Sequence, residues 1–136
     1  NYKNKSIEGL LFQNIDFIVN YDAMQFAYKV KNMEIINITA LTKTGSDINL
    51  CKKKKNKVVL DLANIFVNTE RTDEKKNHPA DISGNSKVIS TFFNFKNDDF
   101  VAVECEQWSK KMDNPNVLKV SLRTKFYNDF LIEEYK

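Results

Sequence analysis

Apolar and polar residues alternate along much of this chain, with little glycine or proline to interrupt them. Phe100, Ala102 and Glu104 fall on one side of the pattern, and Val101, Val103 and Cys105 on the other. Val88 to Phe95 and Val117 to Thr124 read the same way. A period of two marks strands, because successive side chains leave a strand on opposite faces. Lys96 to Asp99 has the chemistry of a hairpin turn, and Ser109 to Asn116, with Asp113, Asn114 and Pro115, predicts another.

Nearer the N-terminus, Ile15, Phe17 and Val19 alternate and predict a first strand. Gln25 to Lys31 alternates through Phe26, Tyr28 and Val30, and Met33 to Leu41 is rich in isoleucine. With turns near Tyr21 and Asn32, these segments predict an antiparallel meander. Met24, Ala27 and Tyr28 also stand at helical spacing, so a helix over 21–31 is the competing reading.

Thr42 to Asn49 is polar and contains Gly45, which predicts a loop leading into a strand-like Ile48-Asn49-Leu50. Val58, Leu60 and Leu62 share one face of a predicted strand running to Val67. The stretch 68–87 holds almost nothing apolar and reads as a long loop, of the kind that carries function. Phe126, Tyr127, Phe130 and Leu131 form one stripe at helical spacing, predicting a short closing helix over 125–135.

These elements predict a mainly β fold in one domain, residues 1–136. It is an antiparallel β-sandwich or curled sheet of about seven strands with a short C-terminal helix. The alternative is an α+β fold with its helix near 21–31. The chain has 136 residues, of which 42% are hydrophobic and 12% aromatic, enough to build a core rather than remain disordered. Lysine and asparagine are abundant and glycine is scarce, a bias expected of an AT-rich coding genome. That bias lowers the information in any single Lys or Asn, including the glycosylation-type triplets at Asn4 and Asn37.

The formal net charge of +3 is too small to predict nucleic-acid binding by itself. No stretch is long and apolar enough to span a bilayer. The chain opens on Asn1 rather than Met, which is compatible with a lost signal or anchor. Cys51 and Cys105 lie far from any metal-binding spacing. In an oxidising compartment they can pair; otherwise they are two small buried hydrophobes.

Lys52-Lys53-Lys54-Lys55-Asn56-Lys57 is the most conspicuous local feature. It can dock on phosphates or an anionic membrane, or stand as a solvated loop between two strands. No aromatic residues interleave it, which weakens the nucleic-acid reading. His78 is the sole histidine, so no multi-histidine metal site exists. Its acidic neighbours Asp73, Glu74 and Asp81 can orient it, although a polar loop is the plainer reading.

Glu104 and Glu106 share a strand face. As an acid pair they would suit a small hydrolase, but on an exposed strand they are simply solvated. Asn97-Asp98-Asp99 is a turn rather than a calcium loop. Of the aromatic candidates Tyr21, Tyr28, Trp108, Tyr127 and Tyr135, Trp108 at a strand end is the best binding anchor. No phosphate loop, nucleophile elbow or zinc motif is present.

The sequence therefore predicts a non-catalytic binding or assembly module, with no cofactor, metal or catalytic residue. It is expected outside the cytoplasm, as the soluble part of a secreted or membrane-anchored envelope protein. Its expected partner is another protein, self-association and an envelope complex included, with Lys52–Lys55, Lys57 and Trp108 as binding residues. The alternatives are nucleic-acid or anionic-surface binding through the lysine run, and a hydrolase using Glu104, Glu106 or His78.

Overall fold

A computed structural model describes residues 6–13 and 21–134. The predicted strand through Ile15, Phe17 and Val19 lies outside the described residues, as does Tyr135. Seven strands form one antiparallel sheet. In chain order they are β1 (Ile7–Gln13), β2 (Ala23–Lys29), β3 (Glu34–Gly45), β4 (Glu70–Asn77), β5 (Lys87–Asn94), β6 (Phe100–Gln107) and β7 (Asn116–Arg123). Helix α1 (Ile48–Ile65) joins β3 to β4, and helix α2 (Lys125–Glu134) closes the chain. The mainly β expectation, its strand number and its C-terminal helix are what the structure has. The strands make one sheet, and the packed helix of the α+β alternative exists at 48–65 rather than 21–31, where β2 runs.

The spatial order is β1-β2-β3-β7-β6-β5-β4. Two meanders meet where β3 pairs with β7, and α1 carries the chain from the middle of the sheet to its far edge. Four inter-strand steps of about 4.8 Å need roughly 19 Å. The 18 residues of α1 supply roughly 27 Å at about 1.5 Å each, enough to cross diagonally.

Two expectations are corrected here. The segment 48–65 is helical throughout, not a loop, a lysine-rich connection and a strand. Asp47 caps the helix by accepting from the Asn49 N–H at 2.8 Å. No glycine or proline follows until Pro79, and Cys51, Lys55, Val59 and Leu62 recur at helical spacing against the sheet. The Val58-Leu60-Leu62 alternation is misleading, because Leu60 points to solvent.

Residues 70–77, expected within a long loop, form strand β4. All eight are exposed, so neither face carries an apolar signal. The ladder to β5 alone makes the strand.

The helices lie on opposite faces. Under α1, Cys51 and Val59 pack with Phe93, Val101, Val103, Cys105 and Leu118. Phe66, just past the helix, sets its ring 5.9 Å from Phe93 and 5.3 Å from Phe95. Cys51 and Cys105 form a disulfide joining α1 to β6. On the other face, Tyr127 and Phe130 of α2 pack with Ile7, Ala27 and Ile36, as their stripe predicts.

Candidate functional site

The register of the strands sorts every sheet residue to one face. Leu10, Phe26, Ile38, Leu122 and Val101 stand opposite one another in a single row across β1, β2, β3, β7 and β6. Phe12 and Met24 begin the next row. Helix α1 covers this apolar face at β6 and β7 but leaves β1 and β2 open. Leu10 is 48% exposed, Phe12 43% and Leu122 47%. Phe12 and Phe26 meet edge to face at 5.7 Å.

The two edges of the sheet differ sharply. The β4 edge is Glu-Arg-Thr-Asp-Glu-Lys-Lys-Asn, the kind of charged strand that resists pairing with another chain. The β1 edge carries Leu10, Leu11 and Phe12, with Leu11 58% exposed.

Beyond the apolar cluster under α2, the opposite face is polar and largely buried. Glu104 and Glu106 do share a strand face, but they are not solvated. They are 7% and 9% exposed. Ser90 Oγ donates to Glu104 Oε1 at 3.1 Å, and Arg123 Nη2 donates to Oε2 at 2.6 Å. Lys119 Nζ pairs with Glu106 Oε1. Ser121 Oγ receives both Arg123 Nη2 and the Thr39 hydroxyl, the latter at 2.9 Å, and Asn37 donates to Thr39. Among the described residues no buried side-chain polar atom lacks a partner.

His78 joins this network, although its chain position gives no hint of it. Its Nε2 lies 3.5 Å from Glu106 Oε1, and its ring sits 4.1 Å from that of Trp108. Its Nδ1 accepts from the Ala80 N–H at 3.1 Å, so the neutral ring carries its proton on Nε2, facing the carboxylate. Asp81 builds the loop that holds His78. Its carboxylate accepts from the N–H and hydroxyl groups of Ser83 and Ser86 and from the Ser109 hydroxyl. These bonds, the Ser83 hydroxyl first, hold its carboxyl well below the usual carboxylate range.

A cavity of about 500 Å³ opens between α2 and the polar face. Gln25, Asn37, Thr39, Lys119 and Arg123 line it from the sheet, Tyr127 and Leu131 from α2, and Leu11 from β1. Trp108 is half-buried and lines a second cavity, with Lys110, Asp113 and Asn114. Tyr21 is half-buried, and burial pushes its hydroxyl up. Tyr28 donates to Glu8 at 2.6 Å.

The lysine run sits in the middle of α1, not in a loop. Lys52, Lys53, Lys54 and Lys57 are exposed, whereas Lys55 is 6% exposed and turned into the core. Its Nζ donates to Thr91 Oγ1, which in turn donates to Asp73. Burial pushes the ammonium down from its ordinary value. Among the described residues no cluster of His, Cys, Asp and Glu could hold a metal ion, and no helix is long and apolar enough to cross a membrane.

No protein family, curated protein or solved structure matches this chain.

Proposed function

We propose that this chain is a non-catalytic assembly module that works in an oxidising, extracytoplasmic setting as part of a secreted or membrane-anchored surface protein. It engages a protein partner by strand addition at β1. The contrast between the sheet edges carries the reading. Free edges are protected by charge, as at β4, unless they are to be paired. The apolar face beside β1 offers side-chain contacts to whatever strand adds there. The Cys51–Cys105 bridge supports the compartment, because such bonds persist where thiols are not kept reduced.

A second copy of the chain suits the edge. An antiparallel pairing with its two-fold axis at Leu11 sets Leu10 of each copy opposite Phe12 of the other, with the apolar rows merging on one face. Sedimentation of the purified protein tests this. The native chain dimerises and Leu11→Lys is monomeric, whereas Thr72→Lys on β4 leaves the dimer intact. A native protein that stays monomeric up to millimolar concentration refutes the pairing.

The alternatives have less support. For a hydrolase, both ring nitrogens of His78 are engaged and both glutamates are held by cations. For an anionic surface, Lys55 faces the core and the other lysines spread around the outer arc of α1 rather than forming one patch.

A further inference from the structure

The polar face costs stability that an apolar face would not. Buried ion pairs can often be replaced by apolar residues with no loss, and sometimes with a gain. Here two carboxylates, two cations and a row of hydroxyls are kept beside a cavity. At about 500 Å³ it falls within the range of roughly 300–1,000 Å³ typical of small-molecule sites.

The chemistry of its walls is one-sided. Lys119 and Arg123 line the cavity, while Glu104 and Glu106, which hold their heads, stand behind them on β6. Among the described residues, Arg123 spends only Nη2 on hydrogen bonds, to Glu104 and Ser121. Its Nη1 and Nε, and the remaining N–H groups of Lys119, make no hydrogen bond among the described residues. Gln25 adds amide donors on the floor. The glutamates thus fix two donor groups in place while taking only part of their donor capacity. Asn37 and Thr39 complete the polar floor, and Leu11, Leu131 and the Tyr127 ring supply the apolar wall opposite it.

We propose that the cavity between α2 and the polar sheet face binds a small carboxylate carried on an apolar body. Its carboxylate lies on Arg123 and Lys119, and its apolar part lies against Leu11, Leu131 and Tyr127. Arg123 suits this because Nη1 and Nε each offer a charge-assisted single bond to a carboxylate oxygen, while Nη2, which both bidentate faces of the guanidinium need, is held by Glu104 and Ser121. The site shares Leu11 with the β1 edge but does not rest on the edge pairing, and the Leu131→Trp variant below tests it apart from that edge.

The test is a nuclear magnetic resonance titration of the isotope-labelled protein with hexanoate, acetate and inorganic phosphate in turn. Hexanoate is expected to shift the amide signals of Thr39, Ser121, Arg123 and Tyr127 saturably. It should bind at least about tenfold tighter than acetate or phosphate, because its extra methylenes leave water. Leu131→Trp fills the cavity from α2 without touching the ion pairs. It should abolish the hexanoate response while the melting temperature stays unchanged. Arg123→Lys, which keeps the charge but loses the Nη1 and Nε donors, should weaken hexanoate severalfold. Three results would overturn the proposal: no cavity response to millimolar hexanoate, acetate or phosphate binding as tightly as hexanoate, or full hexanoate binding by the Leu131→Trp protein.

Discussion

Reducing the Cys51–Cys105 bond should cost this fold a large part of its stability. The bridge closes a chain separation of 54 residues. In the chain-entropy model, a loop of that length contributes about 4 kcal/mol at 25 °C by restricting the unfolded chain. Unfolding entropy near the midpoint is about 2.1 cal/mol/K per residue, or roughly 0.29 kcal/mol/K for the whole chain. Dividing one by the other gives a fall in melting temperature of about 14 °C. Both cysteines are 0% exposed, so reductant should act only when the protein opens. The native protein should resist it at low temperature and yield in mild denaturant. The assay melts oxidised protein against protein reduced in denaturant and refolded with reductant present. Comparing two redox forms of one chain avoids the cavity that a Cys→Ala change would leave. A reduced protein melting within about 4 °C of the oxidised form would refute the reasoning.

Other predictions concern charge. Asp81 has its folded-state pKa lowered, so its contribution to stability is fully present above the unfolded value of about 3.9 and lost as pH falls below it. Asp81→Asn should therefore lower the urea midpoint at neutral pH and narrow the gap between neutral and acid midpoints. An unchanged gap counts against the role given to its five donors. Lys55 has its folded pKa lowered by burial, so the wild-type protein gains stability as pH rises through that value toward the unfolded pKa of about 10.4. Lys55→Met should melt no lower than the native protein, since Thr91 keeps its bond to Asp73. A loss of more than about 2 kcal/mol would show that the ammonium stabilises the core, a cost only specific mechanisms reach. Leu11→Lys, expected to disrupt the dimer, should leave the monomer's melting within about 0.5 kcal/mol of native, because the side chain is exposed.

How much of the fold was legible depended on which strands alternate between an apolar and a more polar face. Strands β6 and β7 do so clearly, with the apolar face under α1, and the period of two matches β5, β6 and β7 to within a residue or so. Helix α1 hid because its buried stripe contains a lysine. With Lys55 counted as polar, the helical repeat breaks, and Val58-Leu60-Leu62 offers a competing alternation. A long span free of glycine and proline, opened by Asp47, was the available counter-signal. Strand β4 could not be read from periodicity at all. A strand exposed on both faces has no hydrophobic pattern, and only the ladder to β5 reveals it.

The polar site was partly legible, and the legible part shows what holds it together. Two acids at spacing two on β6 face two cations at spacing four on β7, with Ser121 between them. In register Glu104 stands opposite Lys119 and Glu106 opposite Val117. The bonded pairs are instead Lys119 with Glu106 and Arg123 with Glu104, so strand pairing brings the charges together without giving their partners. His78 lies 28 positions before Glu106, and its approach depends on a loop closed by hydrogen bonds to Asp81. The one local hint was the Asp81-Ile82-Ser83 spacing, since an aspartate readily accepts from the backbone two residues on. The two faces also differ in chemistry. The face under α1 is apolar apart from the Lys55–Thr91 pair and remains apolar where it is open, at β1 and β2. The other face is apolar under α2, at Ile7, Ala27 and Ile36, but polar at Glu104, Glu106 and Ser121 even though these are buried. A domain selected only for stability has no reason to keep either feature: exposed Leu10, Leu11 and Phe12 invite association, and buried Glu104 and Glu106 demand partners. Leu11 belongs to both the edge and the cavity wall, so Leu11→Lys should remove pairing and weaken hexanoate binding together. Leu131→Trp should close the cavity without disturbing the β1 edge.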